Sequence, residues 1–81
     1  MDTALPEFFA KRDRQIAELQ RTARKVNEWW ADRENTEPSL QDLAMLEGLL
    51  AQRKTGLERM IKLDDDMLDQ LVKARGRRNG A

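Results

Sequence analysis

The chain has no cysteine, no histidine and no tyrosine, and its 81 residues include only 2 prolines and 4 glycines. Without cysteine there is no disulfide, no thiolate metal site and no thiol nucleophile; without histidine the commonest general base and metal ligand is missing. The one serine, Ser39, has no imidazole anywhere in the chain to activate it, and no glycine-rich phosphate loop follows a strand pattern. These absences point away from an enzyme and away from any cofactor or metal. Long apolar runs are lacking too. Nothing approaches the ~18–20 residues that cross a bilayer, and Met1 to Ala10 carry Asp2 and Glu7 where a secretory signal would be basic. The expectation is a cytoplasmic protein that does not enter the membrane. Fifteen Lys and Arg balance fifteen Asp and Glu, so no single-sign field marks the whole surface as a nucleic-acid footprint.

What is present is a 37% charged fraction against the ~25% usual for globular chains, with 40% hydrophobic residues recurring at helical intervals. The length fits one small domain. The only strong interior punctuation is Asn35-Thr36-Glu37-Pro38-Ser39, where proline discourages helix at the residue before it. The reading is a single all-α domain over 1–81. A helix runs from about 5 to 34, a loop from about 35 to 39, a second helix from about 40 to 75, and a frayed basic tail covers 76–81. Pro6 suits a first turn, with Asp2 or Thr3 as its cap; Thr36 or Ser39 can cap the second helix, and Gly76 can end it.

Periodicity supports both helices. A 3-4 spacing picks out Leu5, Phe9, Arg12, Ile16, Leu19, Ala23, Val26, Trp30 and Arg33 in the first. In the second it picks out Leu43, Leu46, Leu50, Arg53, Leu57, Met60, Asp64, Met67, Leu71 and Ala74. Folded about the loop, the stripes pair Trp30 with Leu43, Val26 with Leu46, Ala23 with Leu50 and Ile16 with Leu57, at residue numbers adding to 72 or 73. A constant sum is what an antiparallel hairpin requires. The same register brings Arg12 close to Asp64. The competing architecture is a three-helix bundle, because Thr55-Gly56-Leu57-Glu58 matches a capping box that would start a new helix.

Leu49 and Leu63 on one shoulder of the second stripe, and Ile61 and Leu68 on the other, are surplus to a two-helix seam. Trp29 and Phe8 are the surplus of the first helix. Two coiled-coil-like hairpins associating into a four-helix bundle would use that surplus, giving a homodimer. The leading expectation is therefore a non-enzymatic protein–protein interaction module: adaptor, cochaperone, inhibitor or scaffold component. Trp29, Leu49, Ile61, Leu63 and Leu68 are its partner-binding residues, with Trp29 the candidate anchor. The alternative is a nucleic-acid-associated accessory protein touching phosphates with Arg21, Arg24 and Lys25 and with the tail cations Arg75, Arg77 and Arg78. Ala44, Gly48, Ala51 and Thr55 form a line of small residues that a further helix could approach.

Asp65-Asp66-Met67-Leu68-Asp69 is similar to the Asp-Asp-x-x-Asp box of helical prenyl-transferring enzymes, where it holds Mg²⁺ against a diphosphate. Those enzymes look like large bundles with a second acidic box and a deep apolar pocket, which 81 residues do not supply. The cluster reads instead as a solvated face, with Asp65 and Asp69 near Lys62 and Lys73. Trp30 followed by a long leucine-rich helix is similar to the first two helices of a spectrin-type repeat, with no third helix to follow.

Overall fold

Two helices account for nearly all of the computed structural model, which describes residues 4–80, with side chains over 4–77. Helix α1 spans Leu5–Arg33 and helix α2 spans Leu40–Gly80. They pack side by side in a hairpin 65 Å long and 17 by 15 Å across. Ala4 takes the N-cap of α1 with no side-chain hydrogen bond, and Pro6 sits in the first turn, where its missing N–H has no intrahelical partner to lose. The capping roles expected of Asp2 and Thr3 lie outside the described residues.

Ser39 caps α2. Its hydroxyl accepts the Asp42 N–H at 3.1 Å while the Asp42 carboxylate accepts the Ser39 N–H at 3.0 Å, a reciprocal capping box built with aspartate. The box expected at Thr55 does not form, because the Thr55 hydroxyl donates back to the Ala51 carbonyl at 3.1 Å and the backbone runs straight through Gly56. The chain is thus a two-helix hairpin, and the three-helix alternative is overturned. Nor does α2 stop at 75. No glycine among the described residues adopts a positive φ, so Gly76 makes no left-handed cap and the helix continues to Gly80.

The helices run antiparallel as expected, but they are rotated about their axes and the neighbours across the seam are not the expected pairs. Cross-helix neighbours include Trp29 with Asp42, Leu19 with Gly56 and Glu18 with Arg59, pairs whose numbers add to 71, 75 and 77. The seam is lined on α1 by Phe8, Gln15, Leu19, Val26 and Trp29, and on α2 by Asp42, Leu46, Leu49, Gly56, Leu63 and Met67. Leu43, Leu50 and Leu57, assigned to the seam by periodicity, are exposed. Their places are taken by the residue before each: Asp42, Leu49 and Gly56.

Two features account for this rotation. Gly56 is buried against α1, and a Cβ there would stand 2.8 Å from Leu19 Cδ2 and 3.1 Å from Gln15 Nε2. At the loop end, the Trp29 indole N–H donates to the Asp42 carbonyl at 2.9 Å, and Arg33 Nε lies 3.0 Å from the Asp42 carboxylate. The Arg33 guanidinium also stacks 5.2 Å from the centre of the Trp29 ring and donates to the Trp29 carbonyl. Leu43 facing inward would forfeit all of these.

Candidate interaction surface

The rotation reverses the two tryptophans. Trp29 is buried, 7% exposed, and with Met67 it is the only buried large hydrophobe among the described residues; Trp30 is 56% exposed. Trp29 was expected beside the seam as a partner anchor, and burial removes the accessible ring which that role needs. Phe8, Leu49 and Leu63 were also expected outside the seam and are half-buried within it. Ile61 and Leu68 are exposed, at 60% and 58%.

Most of the exposed apolar residues come directly after a seam residue; Leu40, Met45, Leu71 and Val72 do not. On α2 the pairs are Asp42/Leu43, Leu49/Leu50, Gly56/Leu57, Met60/Ile61 and Met67/Leu68; on α1 they are Phe8/Phe9, Gln15/Ile16 and Trp29/Trp30. One residue further is ~100° round a helix. Because the helices run antiparallel and face each other, the same step leads both to the same side of the hairpin. Leu43, Leu50, Leu57, Ile61 and Leu68, 44 to 60% exposed, therefore share a side with Phe9 and Trp30, and Val72, one helical turn after Leu68, continues the row. The half-buried Ile16 and Ala23 fill the α1 row between them. Sequence reasoning found most of these positions but assigned them to the wrong surface. The signal it missed was Gly56, a glycine in mid-helix at seam spacing from Leu49 and Leu63.

The opposite side is polar. Gln15, Glu18, Thr22 and Lys25 of α1 and Gln52, Thr55 and Arg59 of α2 line a groove of about 610 Å³, floored by Gly48 and Gly56. Arg59 reaches Glu18 across it at 4.0 Å. Ala51 and Thr55 of the small-residue line border this groove, and no atom lies within 4 Å of where a Gly48 Cβ would be.

The two basic patches are not brought together. Arg21 and Lys25 border the groove beside Gln52, while Arg77 lies 25 residues further along α2, roughly 37 Å at ~1.5 Å per residue. Arg24, Arg75 and Arg77 are exposed, and the Arg78 side chain lies outside the described residues. In the acidic cluster, Asp66 pairs with Lys62 at 3.5 Å and Asp69 with Lys73 at 3.0 Å, each one helical turn apart. The Lys73 partner is the expected one, but Lys62 takes Asp66 rather than Asp65. Arg12 is half-buried and Asp64 exposed, and no ion pair joins them among the described residues, contrary to the pairing that the register implied.

Asp42 is held clearly below its ordinary range, first by the Ser39 backbone N–H and then by its hydrogen bond to Arg33. Among the described residues, no helix is long and apolar enough to cross a membrane. Comparison with protein-family models, curated proteins and solved structures finds nothing that matches this chain.

Proposed function

We propose that the hairpin is a non-enzymatic protein-binding module, an adaptor, cochaperone, inhibitor or scaffold component, that docks its partner on the apolar side. The observation that carries this reading is the row of exposed apolar residues from Leu43 to Val72, joined on the same side by Phe9 and Trp30. Contiguous apolar surface of this extent is uncommon on a protein that works alone, and it marks a surface meant to be covered. The reading also fits the lone Ser39, whose hydroxyl is engaged in a helix cap. A second hairpin completing a four-helix bundle is one way to cover the surface.

The test is site-specific photocrosslinking in the host cell, with the probe at Leu57 or Leu68 on the apolar side and at Gln52 on the polar side. Crosslinks to protein from Leu57 and Leu68 and few from Gln52 are expected. Crosslinks confined to Gln52, or nucleic acid recovered in place of protein, would overturn the reading. The second outcome would favour the alternative, for which the support is that Arg21, Lys25 and Arg59 border one groove where a polyanion backbone could lie.

A further inference from the structure

We infer that the occupant of the apolar side is a second copy of this chain, packed face to face and antiparallel, with Arg53 of each copy opposite Asp64 of the other. This rests on the apolar side being a docking surface and names what docks there.

The first argument is size. The row from Leu43 to Val72 runs 29 residues, about 43 Å at ~1.5 Å per residue, on a hairpin 17 Å across, a face of roughly 740 Å² against the ~800 Å² per partner of a standard interface. An occupant that covers it must itself be an apolar face of this length, and the hairpin's own face is one. The second is the thinness of the core: Trp29 and Met67 are the only buried large hydrophobes among the described residues, and no large side chain is fully enclosed. A four-helix bundle would give these two helices the interior that a single layer lacks. With fifteen charges of each sign, two copies approach without net repulsion.

The third argument fixes the orientation. Arg53 and Asp64 lie on the edge of the exposed α2 row nearest the seam, each three residues after one row leucine or isoleucine and four before the next, while Glu47 and Lys54 lie on its outer edge. Arg53 and Asp64 are exposed and neither makes an ion pair among the described residues. The stripe from Leu43 to Val72 is centred between residues 57 and 58, and the Arg53–Asp64 pair between 58 and 59. A twofold axis crossing the helices at that level lays α2 against α2 of the other copy. It sets Leu57 near Leu57, Leu43 near Val72, and each Arg53 near an Asp64. A twofold along the helices would lay α2 against α1 instead. That arrangement sets Arg53 level with Arg53 of the other copy, 11 residues or roughly 16 Å from its Asp64, and forms no such pair.

Sedimentation equilibrium at micromolar concentration should return about twice the 9.4 kDa chain mass. Arg53→Glu and Asp64→Arg should each weaken self-association about tenfold by placing like charges opposite, with helicity by circular dichroism unchanged. Carrying both substitutions in one chain should restore the dimer, and mixing the two single variants should give mainly heterodimers. Because the chain has no cysteine, Leu43→Cys mixed with Val72→Cys should form a mixed disulfide that Leu43→Cys alone does not. A disulfide between two Leu43→Cys chains, or single variants as tight as the parent, would overturn the antiparallel arrangement. A monomer whose Leu57 and Leu68 probes still crosslink to another protein would overturn the second copy as occupant while leaving the docking surface in place. A monomer with no protein crosslinks would overturn both.

Discussion

Replacing each tryptophan in turn by alanine separates the observed packing from the one read off the sequence periodicity. Trp29 is buried, its indole N–H is bonded to the Asp42 carbonyl, and its ring carries the Arg33 guanidinium. Truncating a buried tryptophan costs about 3–5 kcal/mol through lost transfer energy and a residual cavity, and losing the hydrogen bond adds about 1 kcal/mol. A domain of this size has a total stability of only about 4–12 kcal/mol. Trp29→Ala should therefore leave a hairpin that is at most marginally folded. Trp30 is more than half exposed, and alanine is the better helix former, so Trp30→Ala should cost about 1 kcal/mol.

The assay is urea unfolding followed by far-ultraviolet circular dichroism, at a concentration low enough that association does not contribute. Trp29→Phe keeps the bulk but removes the N–H, so it should lose about 1 kcal/mol and remain folded. The Trp30→Phe protein then isolates Trp29, whose emission should be blue-shifted and poorly quenched by acrylamide. The Trp29→Phe protein isolates Trp30, which should be quenched readily. If Trp30→Ala proves the more damaging substitution in dilute solution, or if the isolated Trp29 emits like an indole in water, the rotated seam is wrong.

Three further outcomes follow from the same geometry. Gly48→Ala should raise stability by about 1 kcal/mol, since it adds helix propensity with open space around the new Cβ. Gly56→Ala should gain the same propensity but lose about 1–3 kcal/mol to the Leu19 contact, so its midpoint in urea should fall below that of Gly48→Ala. Asp42, its folded-state pKa depressed, contributes stability that is present above the ordinary carboxylate range and lost as pH falls through the folded value. Melts of the parent should therefore weaken below about pH 4, where Asp42→Asn, already less stable at neutral pH, should show a flatter acid limb. Leu68→Lys, on the exposed row, should leave dilute-solution stability within about 0.5 kcal/mol of the parent while abolishing protein crosslinks from Leu57.

The hairpin itself was legible because its determinants are local. Pro38 stops helix at the preceding residue, Ser39 stands three residues before an acid, and no proline interrupts the stretch from Ser39 onward. The antiparallel pairing was legible as well, since a short loop between two long helices turns the chain back on itself; the individual pairs across the seam were not. The end of α2 was not. Gly76 permits a left-handed cap without requiring one, and the residues around it are compatible with helix.

The rotation of the helices was the feature that apolar counting misassigned. On α2 two stripes lie one residue apart: Leu43, Leu50, Leu57 and Asp64 against Asp42, Leu49, Gly56 and Leu63. By hydrophobicity the first is the better seam, and a rule that buries the greasier stripe selects it. Packing chooses the second because glycine in the seam lets the backbones approach, and because Asp42 can serve the Ser39 cap, the Arg33 ion pair and the Trp29 hydrogen bond from one position. These gains depend on residues from the other helix and the loop, so periodicity along either helix alone does not register them. The choice also leaves the greasier stripe facing outward on a chain whose own seam covers little apolar surface. That displacement of leucines from the seam to the open side turns a helical hairpin into a docking surface, and it links the candidate site to Gly56.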